Sequence, residues 1–170
     1  MPHVPGYPAA GCLAIRYEDL GAFGGPAVDG CFWGSTPGSR PRLLGIEHRN
    51  RPGRAWEPPK GGCTPEHRSC FDAAKQHLGR LTTLTLDNSR TWDEIGWVYY
   101  GHDNPRSRIY VVVYRGGGRL DYFDHHETAE AARGGWVHAE DFHSGWQSVA
   151  RRAVEMADEI VRTHSLGGGW

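Results

Sequence analysis

Apolar residues in this chain fall in short blocks of two different spacings, separated by stretches rich in glycine and proline. Residues 9 to 17, Ala-Ala-Gly-Cys-Leu-Ala-Ile-Arg-Tyr, are apolar almost throughout and predict a buried strand. Residues 42 to 48, Arg-Leu-Leu-Gly-Ile-Glu-His, predict a second. Phe71, Ala74, Leu78 and Leu81 then recur at helical spacing, which predicts an amphipathic helix over 68–80, with Pro65 and Glu66 suited to its first turn. The alternation Leu-Thr-Thr-Leu-Thr-Leu over 81–86 predicts another strand, as do the aromatic and valine runs at 97–100 and 108–114, joined by a turn at Asp103-Asn104-Pro105. Strands at 120–123 and 136–138 follow. From about Ser144 the helical period returns, with Trp146, Val149, Ala150, Ala153, Ala157, Ile160 and Val161 on one face and Arg151, Arg152, Glu155, Asp158 and Glu159 largely opposite.

This order predicts an α+β fold, a mixed sheet with helices on its faces, in a single domain over 1–170. Residues 18–41 read as a Gly/Pro-rich insertion after the first strand, carrying Phe23, Phe32 and Trp33, and 165–170 as a Gly-rich tail ending in Trp170. The 19 Lys and Arg against 20 Asp and Glu give a net charge of -1. That balance removes the global positive field of a nucleic-acid coat or a membrane-surface binder and leaves function to a local site. The longest apolar run, 109–114, is far short of a membrane span, and the start Met-Pro-His-Val-Pro-Gly lacks the regions of a signal peptide. A soluble intracellular protein is expected, cytoplasmic or organellar, with a mitochondrial address open. Cys12, Cys31, Cys63 and Cys70 are too few and too unevenly spaced for a disulfide framework and read as thiols or metal ligands.

The segment Trp56-Glu57-Pro58-Pro59-Lys60-Gly61-Gly62, followed by a helix carrying Asp72-Ala73-Ala74, resembles the opening of the Nudix box, most of all its Trp-x-Pro-Pro-Lys-Gly form in diadenosine polyphosphate hydrolases. The strand at 107–113 and the stretch Trp136-Val137-His138-Ala139-Glu140-Asp141-Phe142 resemble the family's later strands and the turn before its last helix, so the resemblance runs in element order over 9–164. It implies a mixed sheet sandwiched between helices. Hydrolysis in that family rests on a Glu in the loop and an Arg-Glu-apolar-any-Glu-Glu run on the helix, whose carboxylates hold divalent cations that bridge a diphosphate and activate water. This sequence departs from that run. Gln76-His77 stand where Arg-Glu belongs, Leu78 at the apolar position, Arg80-Leu81 where the paired glutamates belong, and His67, beside Glu66, at the loop glutamate.

Cations in place of carboxylates would turn a groove for metal and diphosphate into one that binds phosphate directly. Lys60, Gly61, His67, His77 and Arg80 are the candidate phosphate-binding residues, with Lys75 nearby; a solvated helix face accounts for the same charges. Tyr99, with Trp97 and Tyr100 on the same predicted strand, is the candidate for stacking a base. Arg40, Arg42, Arg49, Arg51 and Arg54 form a local basic cluster that suits a polyphosphate or RNA tail.

The expected function is therefore that of a catalytically degenerate Nudix-like protein. It binds nucleotide or RNA phosphates without a cofactor, or serves as a subunit of a larger complex with protein partners on the 18–41 insertion. The alternative is an active Nudix hydrolase of dinucleoside polyphosphates or related nucleoside diphosphate derivatives, using Mg²⁺ or Mn²⁺ on unusual ligands. Glu66 and Glu130 lead that set, with Glu57, Asp72 and Glu127 behind them. A third reading takes Cys63, His67 and Cys70, with His77, as a zinc site, although helical spacing sets Cys70 and His77 two turns apart. Asp124, His125 and His126 read as a polar loop.

Overall fold

The computed structural model describes residues 8–17, 41–49, 56–82, 84, 86–87, 92–101, 106–114 and 131–167, the last seven and the first two of the final stretch by their backbone. The most apolar block of the sequence becomes β1 (Ala9–Tyr17), buried at every position but Ala9. It is hydrogen-bonded along both edges. On one side it runs parallel to β6 (Ser107–Tyr114), from Ala10↔Arg108 to Ile15↔Val113. On the other it pairs antiparallel with β2 (Pro41–His48) through Ile15↔Leu43 and with β4 (Lys60–Gly62) through Ala10↔Gly61. β2 also pairs with the two-residue β3 (Trp56–Glu57) and with β7 (Ala131–Val137), while β5 (Trp92–Tyr100) pairs antiparallel with β6. The sheet runs β3-β2-β1-β6-β5, with β4 joined to β1 and β7 to β2.

Alternation along β1 sends its side chains into two cores. Ala10, Cys12 and Ala14, with Tyr110 and Val112 of β6, meet α1 (Cys70–Leu81) through Ala73, Ala74 and Leu78. Leu13, Ile15 and Tyr17, with Ile109, Val111 and Val113, meet α2 (Ser144–Gly167) through Trp146, Val149, Ala150, Ala153 and Ala157. Each large aliphatic side chain buried in these layers contributes roughly 1.5–3 kcal/mol. Tyr17 adds a hydrogen bond from its hydroxyl to Asp158 of α2 at 2.8 Å. The expected α+β sandwich is thus the observed architecture.

The ends of α1 explain one departure from the sequence reading. Ser69 is its N-cap, with Oγ accepting the Asp72 N–H at 3.0 Å. At the other end the Thr82 N–H and hydroxyl both donate to the Leu78 carbonyl, at 2.9 and 2.8 Å. The Thr82 hydroxyl also accepts the Leu84 N–H at 3.2 Å, so the backbone partner a strand would supply is replaced by a side chain. Leu81 therefore ends the helix, and Leu84 and Leu86 are buried against the α1-side core outside any ladder. Conversely, β3 and β4 form in a stretch whose apolar pattern predicts no strand. The strand expected at 120–123, nearly all of the 18–41 insertion and Trp170 lie outside the described residues.

β5 carries a bulge between Glu94 and Gly96, where Gly96 has φ 142°. Beyond it, Trp97 and Tyr99 oppose Tyr110 and Arg108, while Val98 and Tyr100 pack against the α2-side core. None of the helices among the described residues is long and apolar enough to cross a membrane.

Two glycines give opposite expectations. Gly11 sits where the backbone of Pro59 crosses β1, and a Cβ there would lie 2.6 Å from the Pro59 carbonyl oxygen. Gly79 is a helix-interior residue whose Cβ would meet nothing within 4 Å. In urea titrations Gly11→Ala is expected to lose about 1–3 kcal/mol through overpacking, and Gly79→Ala to gain about 0.5–1 kcal/mol through reduced backbone entropy in the unfolded chain. Equal effects at the two sites would contradict this packing.

Candidate functional site

Two groups of side chains stand out. The first lies where α1 crosses β4. The His77 ring covers Gly61, and a Cβ at that glycine would run into the ring atoms. His77 Nε2 lies 2.9 Å from the Gly62 carbonyl oxygen, which can only accept, and Nδ1 lies 3.2 Å from the Arg80 guanidinium, which can only donate. Together these contacts select a neutral imidazole with its proton on Nε2. Burial holds the pKa of His77 below its ordinary value, and the charges of Arg80 and His67 push the same way, against the Gly62 hydrogen bond. His67 stands edge-on to His77 at 5.8 Å, with Nδ1 accepting the Thr64 N–H at 3.0 Å.

Lys60, on β4, places its ammonium 5.6 Å from the centre of the Trp146 ring. The Trp146 indole N–H donates to Glu57 Oε1 at 3.3 Å. Lys60 and Glu57, with Ile46, His48, Pro58 and Leu81, line a pocket of about 40 Å³. That is room for a few waters, an order of magnitude below the roughly 300 Å³ or more of a typical ligand site. Leu81 is buried against Ile46.

The structure brings Gly61, His67, His77 and Arg80 together, while the Lys60 side chain turns to the other face of β4, toward Trp146 of α2, and it corrects the role of His77. Both of its ring nitrogens are committed to protein partners, so it fastens helix to strand and presents no donor to a phosphate. Glu66 is exposed in the loop and Asp72 accepts from the Arg68 N–H and the Gln76 amide, acting as a cap. For zinc, His77 has no nitrogen to offer to Cys63 and Cys70. Among the described residues no three His, Cys, Asp or Glu side chains form a group able to hold a metal ion. Glu127, Glu130, Asp124, His125, His126, Arg40, Arg51 and Arg54 lie outside the described residues.

The second group lies on the α1 side of the β5–β6 hairpin. Trp97 and Tyr99 are 43% and 42% exposed, the only large hydrophobics so exposed among the described residues, and their rings meet edge to face at 6.2 Å. Arg108 lies 5.1 Å from the Trp97 ring centre and 5.6 Å from that of Tyr99; Arg106 lies 5.2 Å from Tyr99. Neither guanidinium is ion-paired among the described residues. Arg108 donates to the Tyr110 hydroxyl at 3.4 Å, which helps hold its pKa above the ordinary value. Tyr100, a neighbour of Tyr99 in sequence, points the other way and packs on Trp146 at 4.8 Å. Sequence reading found Tyr99 and Trp97 but missed Arg106 and Arg108. The pattern Trp-x-Tyr on one strand and Arg-x-Tyr on the next, across a Pro-containing turn, was the available signal.

No family model matches this sequence, and no curated protein matches it. Solved structures do. The Ap4A hydrolase of C. elegans, solved as a binary complex, aligns over 94% of this chain and 98% of its own at 17% identity, with a TM-score of 0.50. RenU, a Nudix hydrolase of M. smegmatis, aligns over 91% and 87% at 18% identity, TM-score 0.56. The Nudix domain of Shewanella oneidensis NrtR, crystallised with ADP-ribose, aligns over 95% and 90% at 12% identity, TM-score 0.56.

A depressed His77 makes stability depend on pH in a defined direction. Below the ordinary imidazole value of 6.5 the unfolded chain takes up a proton that folded His77 resists, so stability is complete above that pH and falls beneath it. His77→Gln keeps a donor and an acceptor but does not titrate. Its melting temperature is expected to fall less steeply than that of the wild type between pH 6.5 and 5; parallel curves would place the proton elsewhere.

Proposed function

We propose that this chain, a Nudix fold, binds a nucleotide or an RNA segment without hydrolysing it, with the base on Trp97 and Tyr99 and the phosphates drawn to Arg106 and Arg108. The observation that carries this reading is the exposed aromatic pair with two guanidiniums that have no acidic partner among the described residues. Exposed aromatic rings take nucleobases at about 1–3 kcal/mol per stacked base. Unpaired arginines supply charge-assisted hydrogen bonds to phosphate. Arg80 would add positive potential along α1.

The helix supports the reading without turnover. Where carboxylates would hold divalent cations, Gln76 is exposed and hydrogen-bonded to Asp72, His77 is locked neutral, and Leu81 is buried. Neither Arg80 nor these three can supply the hard anionic oxygens that Mg²⁺ requires. The Shewanella domain's ADP-ribose and the Ap4A substrate of the nematode enzyme, each a nucleoside carried on linked phosphates, suggest the ligand class.

Fluorescence titration without metal, using ADP-ribose, ADP, a dinucleoside polyphosphate and a short oligoribonucleotide, tests the reading. Binding is expected, weakened roughly tenfold or more by Tyr99→Ala or Arg108→Ala, as the loss of a stacked base or a charged hydrogen bond implies. Lys60→Ala should weaken it less. With Mg²⁺ or Mn²⁺ added, no turnover is expected. Turnover abolished by Glu57→Ala, Glu66→Ala or Glu130→Ala would instead establish a working hydrolase, and silence toward every ligand would leave the role of a subunit bound through other surfaces.

A further inference from the structure

Trp97 and Tyr99 stand two residues apart on β5, one full strand period, so both rings leave the same face. Their centres are 6.2 Å apart and their planes meet at 79°. A flat base can therefore lie against one ring or the other, not against both. Arg106 and Arg108 repeat the two-residue step on the chain segment beside β5. Arg108 opposes Tyr99 across the ladder and reaches both rings, 5.1 Å from the centre of Trp97 and 5.6 Å from that of Tyr99, while Arg106 is exposed and lies 5.2 Å from Tyr99. β5 ends the sheet, and no strand among the described residues lies along its outer side.

Resting on the reading that this face binds nucleotides, we propose that it takes two successive nucleotides of an unpaired strand, one base on each ring, in preference to a mononucleotide or a duplex. Bases in a duplex follow one another every ~3.4 Å along the axis, little more than half the 6.2 Å between the rings, and their faces are covered by their neighbours. Two bases can meet rings so spaced and so inclined only when they are unstacked from each other, which a single strand does without breaking pairs. The phosphate that joins the two nucleotides then passes Arg108, which reaches both rings and spends one donor on the Tyr110 hydroxyl, keeping others for the phosphate. Arg106, beside Tyr99, meets the next phosphate. Stacking and phosphate charge are common to RNA and DNA, and neither the rings nor the guanidiniums read the sugar.

The experiment measures the full chain by isothermal titration without metal, using AMP, ADP, the dinucleotide pApA, and a longer strand of mixed sequence in its ribo and deoxyribo forms, each free or annealed to its complement. The dinucleotide is expected to bind roughly tenfold or more tighter than AMP or ADP, as a second stacked base implies, and annealing to weaken the longer strand by a similar factor. The two sugar forms should agree within a few-fold. Trp97→Ala should bring the ratio of dinucleotide to mononucleotide affinity close to one, whereas Trp97→Phe, which keeps a ring, should retain most of it and so separates lost stacking from lost folding. A mononucleotide as tight as the dinucleotide, a duplex as tight as its free strand, a hundredfold preference for one sugar, or Trp97→Ala with the ratio intact would each overturn the two-nucleotide site and leave nucleotide binding standing. No binding of any of these ligands would overturn both.

Discussion

A strand hydrogen-bonded along both edges and covered on both faces has no freedom left in register or orientation, and β1 is in that position. Its alternation divides the molecule into two cores, and the division is unequal. Toward α2 it presents Leu13, Ile15 and Tyr17; toward α1 it presents Ala10, Cys12 and Ala14. Small side chains on the second face let α1 settle close to the sheet, with β4 pressed against it. Gly61 under His77 is the place where that closeness leaves no room for a Cβ, while Gly11, crossed by Pro59, is crowded on the opposite face beside Ile109. The shape of the first site is therefore a consequence of how β1 is packed.

Close packing also accounts for how that site is held. A loop and helix held by carboxylates around a cation need those carboxylates to stay together. Here the same elements are held by a neutral imidazole between Gly62 and Arg80, by Leu81 against Ile46, and by Glu57 under the Trp146 indole. Ordinary protein contacts hold this framework, and the pocket lined by Lys60 and Glu57 has room for a few waters. Polar and aromatic surface suited to recognition lies instead on the β5–β6 hairpin.

Much of this was legible in the sequence, and the exceptions have physical causes. β1, β2, β6 and both helices announced themselves because their burial demands a long apolar block or a sustained period. The Trp-x-Pro-Pro-Lys-Gly stretch pointed to the right fold because Gly61 and Pro59 answer to backbone contacts that few sequences satisfy. Leu84 and Leu86 misled because alternating leucines report burial, not hydrogen bonding, and Thr82 supplies the bonds a neighbouring strand would have made. His77 looked like a ligand because composition cannot tell an imidazole facing solvent from one sealed between a carbonyl and a guanidinium. Arg106 and Arg108 passed unnoticed because their meaning depends on which face of β5 the aromatic residues occupy.

That face is decided by a single extra residue. Upstream of the bulge Trp92 packs on the α1-side core and Ile95 on the other; downstream, after Gly96, the phase is reversed, so that odd-numbered Trp97 and Tyr99 join Arg108 while Val98 and Tyr100 turn inward. The surface is written in the parity of the strand as much as in its composition. Taking out one residue at the bulge would leave every amino acid of the hairpin tip unchanged and yet exchange its inside for its outside, with Trp97 and Tyr99 in the α2-side core and the hydroxyl of Tyr100 in water. Gly96, whose Cβ would strike Met156, is the hinge of that arithmetic. In a fold whose sheet is otherwise fixed from its centre outward, the edge strand holds a one-residue frame on which the character of the exposed face depends.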